Sequence, residues 1–66
     1  MEQHVSILYT NWKGETRTRR IKPQSIYWGS TEYHTEPQWL LDALDCEKQE
    51  FRQFAMKDIR EWTPVG

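Results

Sequence analysis

The sequence predicts a mainly β domain: a small, partly open barrel of five strands followed by a short C-terminal helix. Three observations favour this fold. The chain has 66 residues, which is enough for one domain spanning 1–66 and no more. Its apolar residues fall in short runs, several of which alternate with polar residues, and clusters of turn-forming residues separate these runs.

The first two strands are predicted to form a hairpin. Residues 5–10 place Val, Ile and Tyr at alternate positions, a pattern typical of a strand. Residues 11–15 follow, with Asn and Gly where a tight turn needs them. Residues 16–21 return as the second strand, which cannot be buried on both faces because its three arginines would be left unpaired.

The middle of the chain is predicted to break at a proline. Pro23 lacks an amide hydrogen, so we expect it to end the second strand. A third short strand is predicted over 25–28. Residues 29–37 are rich in polar and turn-forming residues and are predicted to form a loop.

The C-terminal half supplies the last two strands and the helix. Residues 39–44 are the most apolar run and predict a central strand, and 51–55 alternate as a fifth strand. A short helix is predicted over 57–62. A helix over 39–49 is the alternative, because this segment contains several good helix formers.

The core depends on aromatic side chains. Cys46 is the sole cysteine, so no disulfide can form within the chain, and its spacing from the two histidines does not suggest zinc ligation. Four tryptophans, three tyrosines and two phenylalanines are therefore the main source of buried area. Trp28 and Trp39, at the ends of predicted strands, are expected to lie in this core.

The expected compartment is the cytoplasm, with no membrane association. No hydrophobic run approaches the ~20 residues that a membrane helix needs, and no signal peptide is recognisable. An unpaired cysteine is typical of a reducing environment.

Charge is unevenly distributed along the chain. Residues 1–30 carry five basic and two acidic residues, whereas 31–66 carry four basic and eight acidic residues. The basic residues cluster between Lys13 and Lys22. Such clustering is typical of a phosphate-binding face, but also of an ordinary solvated strand.

An ordered set of motifs resembles the WYL domain, a ligand-sensing or nucleic-acid-linked module of bacterial regulators. The motifs are Tyr9, Lys13-Gly14-Glu15, Arg19-Arg20-Ile21-Lys22-Pro23, Trp39-Leu40-Leu41 and Arg52-Gln53-Phe54-Ala55-Met56-Lys57-Asp58-Ile59. The resemblance implies an SH3-like or Sm-like barrel. This chain has Leu40 at the position of the family's tyrosine, a longer 29–37 loop, and no segment that resembles the family's helix-turn-helix domain.

The resemblance also implies a site. Arg19 and Arg52 match basic positions of the family that are thought to line a ligand or nucleic-acid surface. Two guanidinium groups on adjacent strands could grip a phosphate, and Arg17 would add charge. In the alternative interpretation, each arginine only pairs with a carboxylate, Asp42 or Asp45, and stabilises the barrel.

Two aromatic side chains extend the predicted surfaces. Trp12, beside Lys13, could stack on a nucleic-acid base, or it could fold back onto its own strands. Tyr33 and His34 in the 29–37 loop are expected to contact a partner, because long loops on rigid scaffolds often carry recognition.

The predicted function is binding without catalysis, with no cofactor. The sequence has no nucleophile motif, Gly-rich phosphate loop or metal-ligand cluster, so an enzyme is not expected. The preferred ligand is anionic, either a nucleotide or single-stranded nucleic acid. The alternative is a protein-interaction or homodimeric assembly module that uses an exposed strand edge or the 29–37 loop.

Overall fold

The fold is a single antiparallel sheet of five strands. The computed structural model describes residues 4–65. Its strands are β1 (His4–Thr10), β2 (Thr16–Gly29), β3 (Gln38–Asp45), β4 (Glu50–Ala55) and β5 (Ile59–Val65). They lie in the order β4-β3-β2-β1-β5. Over the described residues β4 and β5 form the two edges, so the sheet stays open. The predicted mainly β, five-stranded, open architecture is confirmed.

The predicted break at Pro23 is wrong. β2 continues through it, and Pro23 pairs with Ala43 of β3. The register shifts between Pro23 and Ser25, which marks a β-bulge. A bulge accommodates a residue that cannot donate to the ladder and bends the strand at that point. The predicted strand over 25–28 is therefore the second half of one long, bent strand.

The predicted C-terminal helix over 57–62 is also wrong. A single 3-10 turn, Met56–Asp58, leads directly into β5. β5 pairs with the side of β1 that β2 leaves open, with Trp62 opposite Ile7. The fifth strand of the sheet is thus the segment expected to be helical. Within residues 4–65, no helix has the length and apolar character needed to cross a lipid bilayer.

The alternative helix over 39–49 does not form, because the apolar run forms β3, an interior strand flanked by β2 and β4. Leu41 pairs with Phe54 of β4, and both side chains lie in the core. Because cross-strand partners share a face of a sheet, this pairing fixes which face of β3 is the core face. Ala43 lies two residues further along the same face and is also fully buried.

Most of the buried core is a compact cluster on one face of the sheet. Its members are buried and come from four strands: Val5, Ile7, Tyr9, Ile21, Leu41, Ala43 and Phe54. Met56 and Ile59, around the 3-10 turn, pack against the cluster. The rings of Tyr9 and Phe54 meet edge to face at 4.9 Å and 88°. Such a contact contributes about 0.5–1.5 kcal/mol beyond the area it buries.

Trp28 and Trp39 do not lie in the core, contrary to expectation. Their side chains are 59% and 55% exposed, and their rings pack edge to face at 5.4 Å. The register of β2 with β3 places them on the core face, but at the far end of the strand pair. β1 pairs with β2 only over 16–21, so it leaves this end uncovered.

Candidate anion-binding site

An open cavity of about 630 Å³ lies on the core face of the sheet. Four segments line it: the β1–β2 turn, the first half of β2, the loop after β2, and β4 with its preceding turn. Tyr9 and Phe54 contribute to the lining and also belong to the core. The cavity is therefore the place where the core face of the sheet opens to solvent.

The cavity gathers the seven residues that the sequence singled out for ligand or partner contact, although Arg20 of the basic cluster lies at the opposite face. Its lining includes the five predicted ligand-binding residues and the two predicted partner-contact residues: Lys13, Arg17, Arg19, Arg52, Trp12, Tyr33 and His34. The sequence predicted a ligand-binding surface and a separate partner-contact surface, whereas in the structure both sets of residues line one cavity. Their roles in binding stay predictions.

Sequence reasoning missed several lining residues, notably Lys48, Glu50 and Phe51. Lys48 lies in the β3–β4 turn, a segment without a binding motif. Phe51 lies in the segment predicted as the fifth strand, yet it is 64% exposed. Its position next to Arg52 in the sequence was the one available signal, since an exposed aromatic beside an arginine is common at contact sites.

On the core face of β2, the side chains change from buried core residues to cavity-lining residues within five positions. Ile21 is fully buried, Arg19 is mostly buried and Arg17 is exposed. Their partners on β1 are Val5, Ile7 and Tyr9, respectively, all of which lie in the core. The strand's period of two puts the three β2 side chains on one face, so the arginines extend the apolar core as a charged wall.

Asp45 organises the charged end of the cavity. It is fully buried, and its Oδ2 lies 3.4 Å from Nη1 of Arg19 and 3.8 Å from Nη1 of Arg52. Its Oδ1 accepts hydrogen bonds from the backbone N–H groups of Glu47, at 3.0 Å, and Lys48, at 3.3 Å. The carboxylate thus joins the two arginines to the β3–β4 turn.

The predicted pairing of the arginines with a carboxylate is found at Asp45, whereas their grip on a phosphate stays a prediction. Arg19 and Arg52 pair with Asp45 and also line the cavity. Asp42, the other candidate carboxylate, instead accepts a hydrogen bond from Nε2 of Gln53 at 3.3 Å. The ion pairs stabilise the sheet end without removing the arginines from the cavity.

Trp12 and Tyr33 form an exposed aromatic pair at the cavity. The rings are stacked with centroids 5.7 Å apart and an interplanar angle of 27°. Nζ of Lys13 lies 5.4 Å from the centroid of the Trp12 ring, within the range of a cation–π interaction. Trp12 therefore packs against the loop after β2, rather than folding back onto its own strands.

The β1–β2 turn holds Trp12 and Lys13 in place. Oδ1 of Asn11 accepts hydrogen bonds from the backbone N–H groups of Lys13, at 2.9 Å, and Glu15, at 3.0 Å. Gly14 has a φ of 85°, a conformation that glycine adopts without strain. The asparagine and glycine that predicted the turn are the residues that close it.

The loop after β2 is tied to the core through Tyr9. The Tyr9 hydroxyl accepts a hydrogen bond from the buried N–H of Ala55 at 3.0 Å and lies 3.4 Å from Nε2 of His34, to which it can donate. Burial raises the pKa of Tyr9 above its usual value. Oγ1 of Thr31 accepts from the N–H groups of Tyr33 and His34, which folds this part of the loop into a turn.

A second, smaller hollow lies on the opposite face of the sheet. It measures about 320 Å³ and contains Cys46 together with Ser6, Thr18, Arg20 and Glu47. Cys46 is therefore separate from the larger cavity. Among residues 4–65, no three His, Cys, Asp or Glu side chains are grouped so that they could hold a metal ion.

The fold and cavity define a class of protein: a small β-sheet module with a cationic, aromatic-lined hollow of ligand size. A sequence model of the WYL domain matches residues 1–64, so the chain belongs to the WYL domain family, as its ordered motifs predicted. This family is regarded as one of ligand-binding regulatory domains. Comparisons with curated proteins and with solved structures gave no match.

Proposed function

We propose that the cavity binds an anionic ligand, either a nucleotide or a short stretch of single-stranded nucleic acid. One observation carries this proposal: five cationic side chains and a stacked aromatic pair line the same hollow. The cations are Lys13, Arg17, Arg19, Lys48 and Arg52.

The charge of the lining supports an anionic ligand. Glu15 and Glu50 are its acidic members, and Asp45 lies buried against two of the arginines. The positive charges outnumber these negative ones, although the whole chain has a net charge of −1. A concave wall of one sign concentrates the field and attracts ions of the other sign. Arginine suits phosphate especially well, because its planar group can donate two parallel hydrogen bonds.

The aromatic pair adds the second half of a nucleotide site. Stacking of a base on an aromatic side chain contributes about 1–3 kcal/mol and tolerates any base. The rings of Trp12 and Tyr33 are 60% and 59% exposed, so a base can reach them. The cavity, at about 630 Å³, lies within the range of about 300–1,000 Å³ common for small-molecule sites.

The proposal is one of binding without catalysis or cofactor. A WYL domain that only recognises its ligand would act through whatever partner or covalently attached domain reads the bound state. The phosphate contacts would then supply a salt-dependent affinity, and stacking on the aromatic pair would add affinity for any base.

An amide NMR titration tests the proposal. The labelled protein is titrated with a short mixed-sequence single-stranded oligonucleotide at low and moderate salt. Shifts should cluster on the cavity lining and shrink as salt rises, because phosphate binding releases counterions. No shifts at millimolar oligonucleotide would exclude the nucleic-acid ligand.

A pair of variants sharpens this test. Arg52→Gln removes a cation from the cavity, whereas Lys57→Gln removes one from the 3-10 turn outside the cavity lining. Both change the net charge equally. The first should weaken oligonucleotide binding several-fold and the second should leave it nearly unchanged. Equal losses in both variants would indicate nonspecific charge attraction rather than a site.

A second candidate function is protein interaction, either with another copy of the chain or with a different protein. The open sheet favours it, because over the described residues β4 and β5 both present an edge to solvent. The exposed Trp28 and Trp39 add apolar surface. Sedimentation over a range of protein concentrations tests self-association, which should depend little on salt, unlike phosphate binding.

A further inference from the structure

Asp45 is a fully buried carboxylate between two arginines of the cavity. We propose that it acts as a built-in counter-anion that lowers the affinity of the site for simple anions and leaves Arg52, rather than Arg19, to meet the ligand. This inference rests on the proposed function, because it concerns the same cavity.

The two oxygens of Asp45 have different partners. Oδ1 accepts the turn N–H groups of Glu47 and Lys48, which fixes the orientation of the carboxylate. Oδ2 faces Nη1 of Arg19 and Nη1 of Arg52, at 3.4 Å and 3.8 Å. The repulsion between two guanidinium charges that face the same oxygen is offset when a negative charge lies between them. Asp45 supplies that charge in the absence of ligand.

The two arginines differ in how far they reach solvent. The side chain of Arg19 is 12% exposed, whereas that of Arg52 is 38% exposed. A guanidinium group has five N–H donors, so Arg52 can keep its contact with Asp45 and still direct other donors towards a ligand. Arg19 has little accessible surface left and stays with the carboxylate.

The consequence is a lower affinity for any anion at this end of the cavity. An anion entering the cavity meets two positive charges and one buried negative charge instead of two positive charges alone. A bare phosphate gains little from this end of the cavity. A ligand that also stacks on Trp12 and Tyr33 gains a second contribution that Asp45 does not reduce, so it binds at concentrations where a bare phosphate does not.

The test replaces Asp45 by asparagine. In Asp45→Asn the amide oxygen can still accept the N–H groups of the turn, while the negative charge is lost. Asp42→Asn is the matched control, because it makes the same change in net charge on the same strand at a carboxylate that bonds Gln53 instead. The probes are inorganic phosphate and the mixed-sequence oligonucleotide, titrated at low salt and followed by amide NMR.

Asp45→Asn should bind both probes about three- to tenfold more tightly than the natural protein. That range corresponds to one charge removed about 6 Å from the anion in an effective dielectric of about 40–80. Asp42→Asn should change affinity by less than about twofold. In the natural protein and in both variants, the oligonucleotide should shift the side-chain NMR signals of Arg52 more than those of Arg19.

The outcomes separate this inference from the proposed function. If the natural protein binds the probes and the folded Asp45→Asn variant binds them no more tightly, the counter-anion role of Asp45 is overturned. The proposed function then stands. Failure of the natural protein and both variants to bind either probe overturns the proposed function as well. Binding by Asp45→Asn alone supports the counter-anion, because it shows the site released from Asp45.

A double variant keeps the inference testable if Asp45→Asn does not fold. Arg19→Gln together with Asp45→Asn removes a buried charge and one of its partners at once and leaves the net charge at −1. Removing both members of a buried pair is tolerated better than removing one. Because the local charge balance is unchanged, phosphate affinity should stay within about threefold of the natural protein. A larger loss would mean that Arg19 contacts the ligand and would overturn the inference.

Discussion

Replacing Tyr9 by phenylalanine should destabilise the domain through a single hydrogen bond. The Tyr9 hydroxyl accepts the backbone N–H of Ala55 at 3.0 Å, and Ala55 is fully buried. Phenylalanine keeps the ring, and with it the edge-to-face contact with Phe54. The substitution therefore isolates the loss of the hydroxyl.

The expected magnitude follows from the buried donor that is left behind. A buried N–H without an acceptor costs about 1–3 kcal/mol. The contact of the hydroxyl with His34 is longer, at 3.4 Å, so its loss should add less than the loss of the bond to Ala55. A domain of this size loses about 4–8 °C of Tm for each kcal/mol, so Tm should fall by about 5–20 °C.

Urea denaturation measures the free energy of unfolding, and amide hydrogen exchange of Ala55 reports the bond directly. Tyr33→Phe is the control, because Tyr33 is 59% exposed, and it should change stability by less than about 0.5 kcal/mol. A loss below about 0.5 kcal/mol in Tyr9→Phe, with Ala55 still protected from exchange, would refute the reasoning.

Three further predictions concern pH, the arginines and the aromatic pair. Burial raises the pKa of Tyr9 above 10.0, so the unfolded chain loses its phenol proton at a lower pH than the folded chain does. The stability that this group contributes is complete below pH 10.0 and falls as pH rises through the raised pKa. In urea titrations at alkaline pH, Tyr9→Phe should lack that part of the fall in stability. Arg19→Gln should lower the urea-derived free energy of unfolding by about 1–3 kcal/mol, and Arg52→Gln by less than about 1 kcal/mol, because the second arginine is more exposed; the reverse order would contradict the geometry. Trp12→Ala should weaken oligonucleotide binding by about 1–3 kcal/mol in NMR titrations. Trp28 is equally exposed but lies outside the cavity lining, so Trp28→Ala should not weaken binding. Equal effects of the two substitutions would argue against stacking in the cavity.

Local patterns predicted the parts of the fold that local interactions determine. The turn over 11–15 follows from an asparagine that caps backbone N–H groups and a glycine at positive φ. The alternation in β1 and the apolar run of β3 correctly predicted strands, because each has core residues on a defined face. The mainly β, open architecture followed from these elements. The SH3-like or Sm-like description implied by the resemblance stays a prediction.

The wrong predictions share one cause: tertiary pairing overrides local preference. Residues 57–62 were expected to be helical, but pairing with β1 makes most of this segment a strand. Pro23 was expected to end a strand, yet the ladder with β3 resumes beyond the bulge. Trp28 and Trp39 begin or end apolar runs, which suggested burial, but β1 pairs with β2 only over 16–21 and β4 pairs with β3 only as far as Leu40, so neither strand pairs beside the two tryptophans.

The candidate site was predictable as a set of residues but not as a place. Charge clustering and the family motifs identified the basic residues, and the turn identified Trp12. The stacking of Tyr33 on Trp12 depends on where the loop after β2 returns, which no local pattern specifies. Lys48 was missed for a similar reason, since only the tertiary fold brings the β3–β4 turn to the arginines.

The inner face of β2 connects the stability of the domain to its proposed binding site. The same period of two that buries Ile21 places Arg19 against a fully buried carboxylate and Arg17 in the open cavity. A charge so close to the core needs a counter-charge, and Asp45 supplies it at the start of the turn that also positions Lys48. The proposed binding surface is therefore continuous with the residues that stabilise the fold. Substitution of Arg17 should alter ligand binding alone. Substitution of Arg19 should mainly lower the stability of the fold, because the Arg19 side chain, unlike that of Arg17, is held between the core and the cavity.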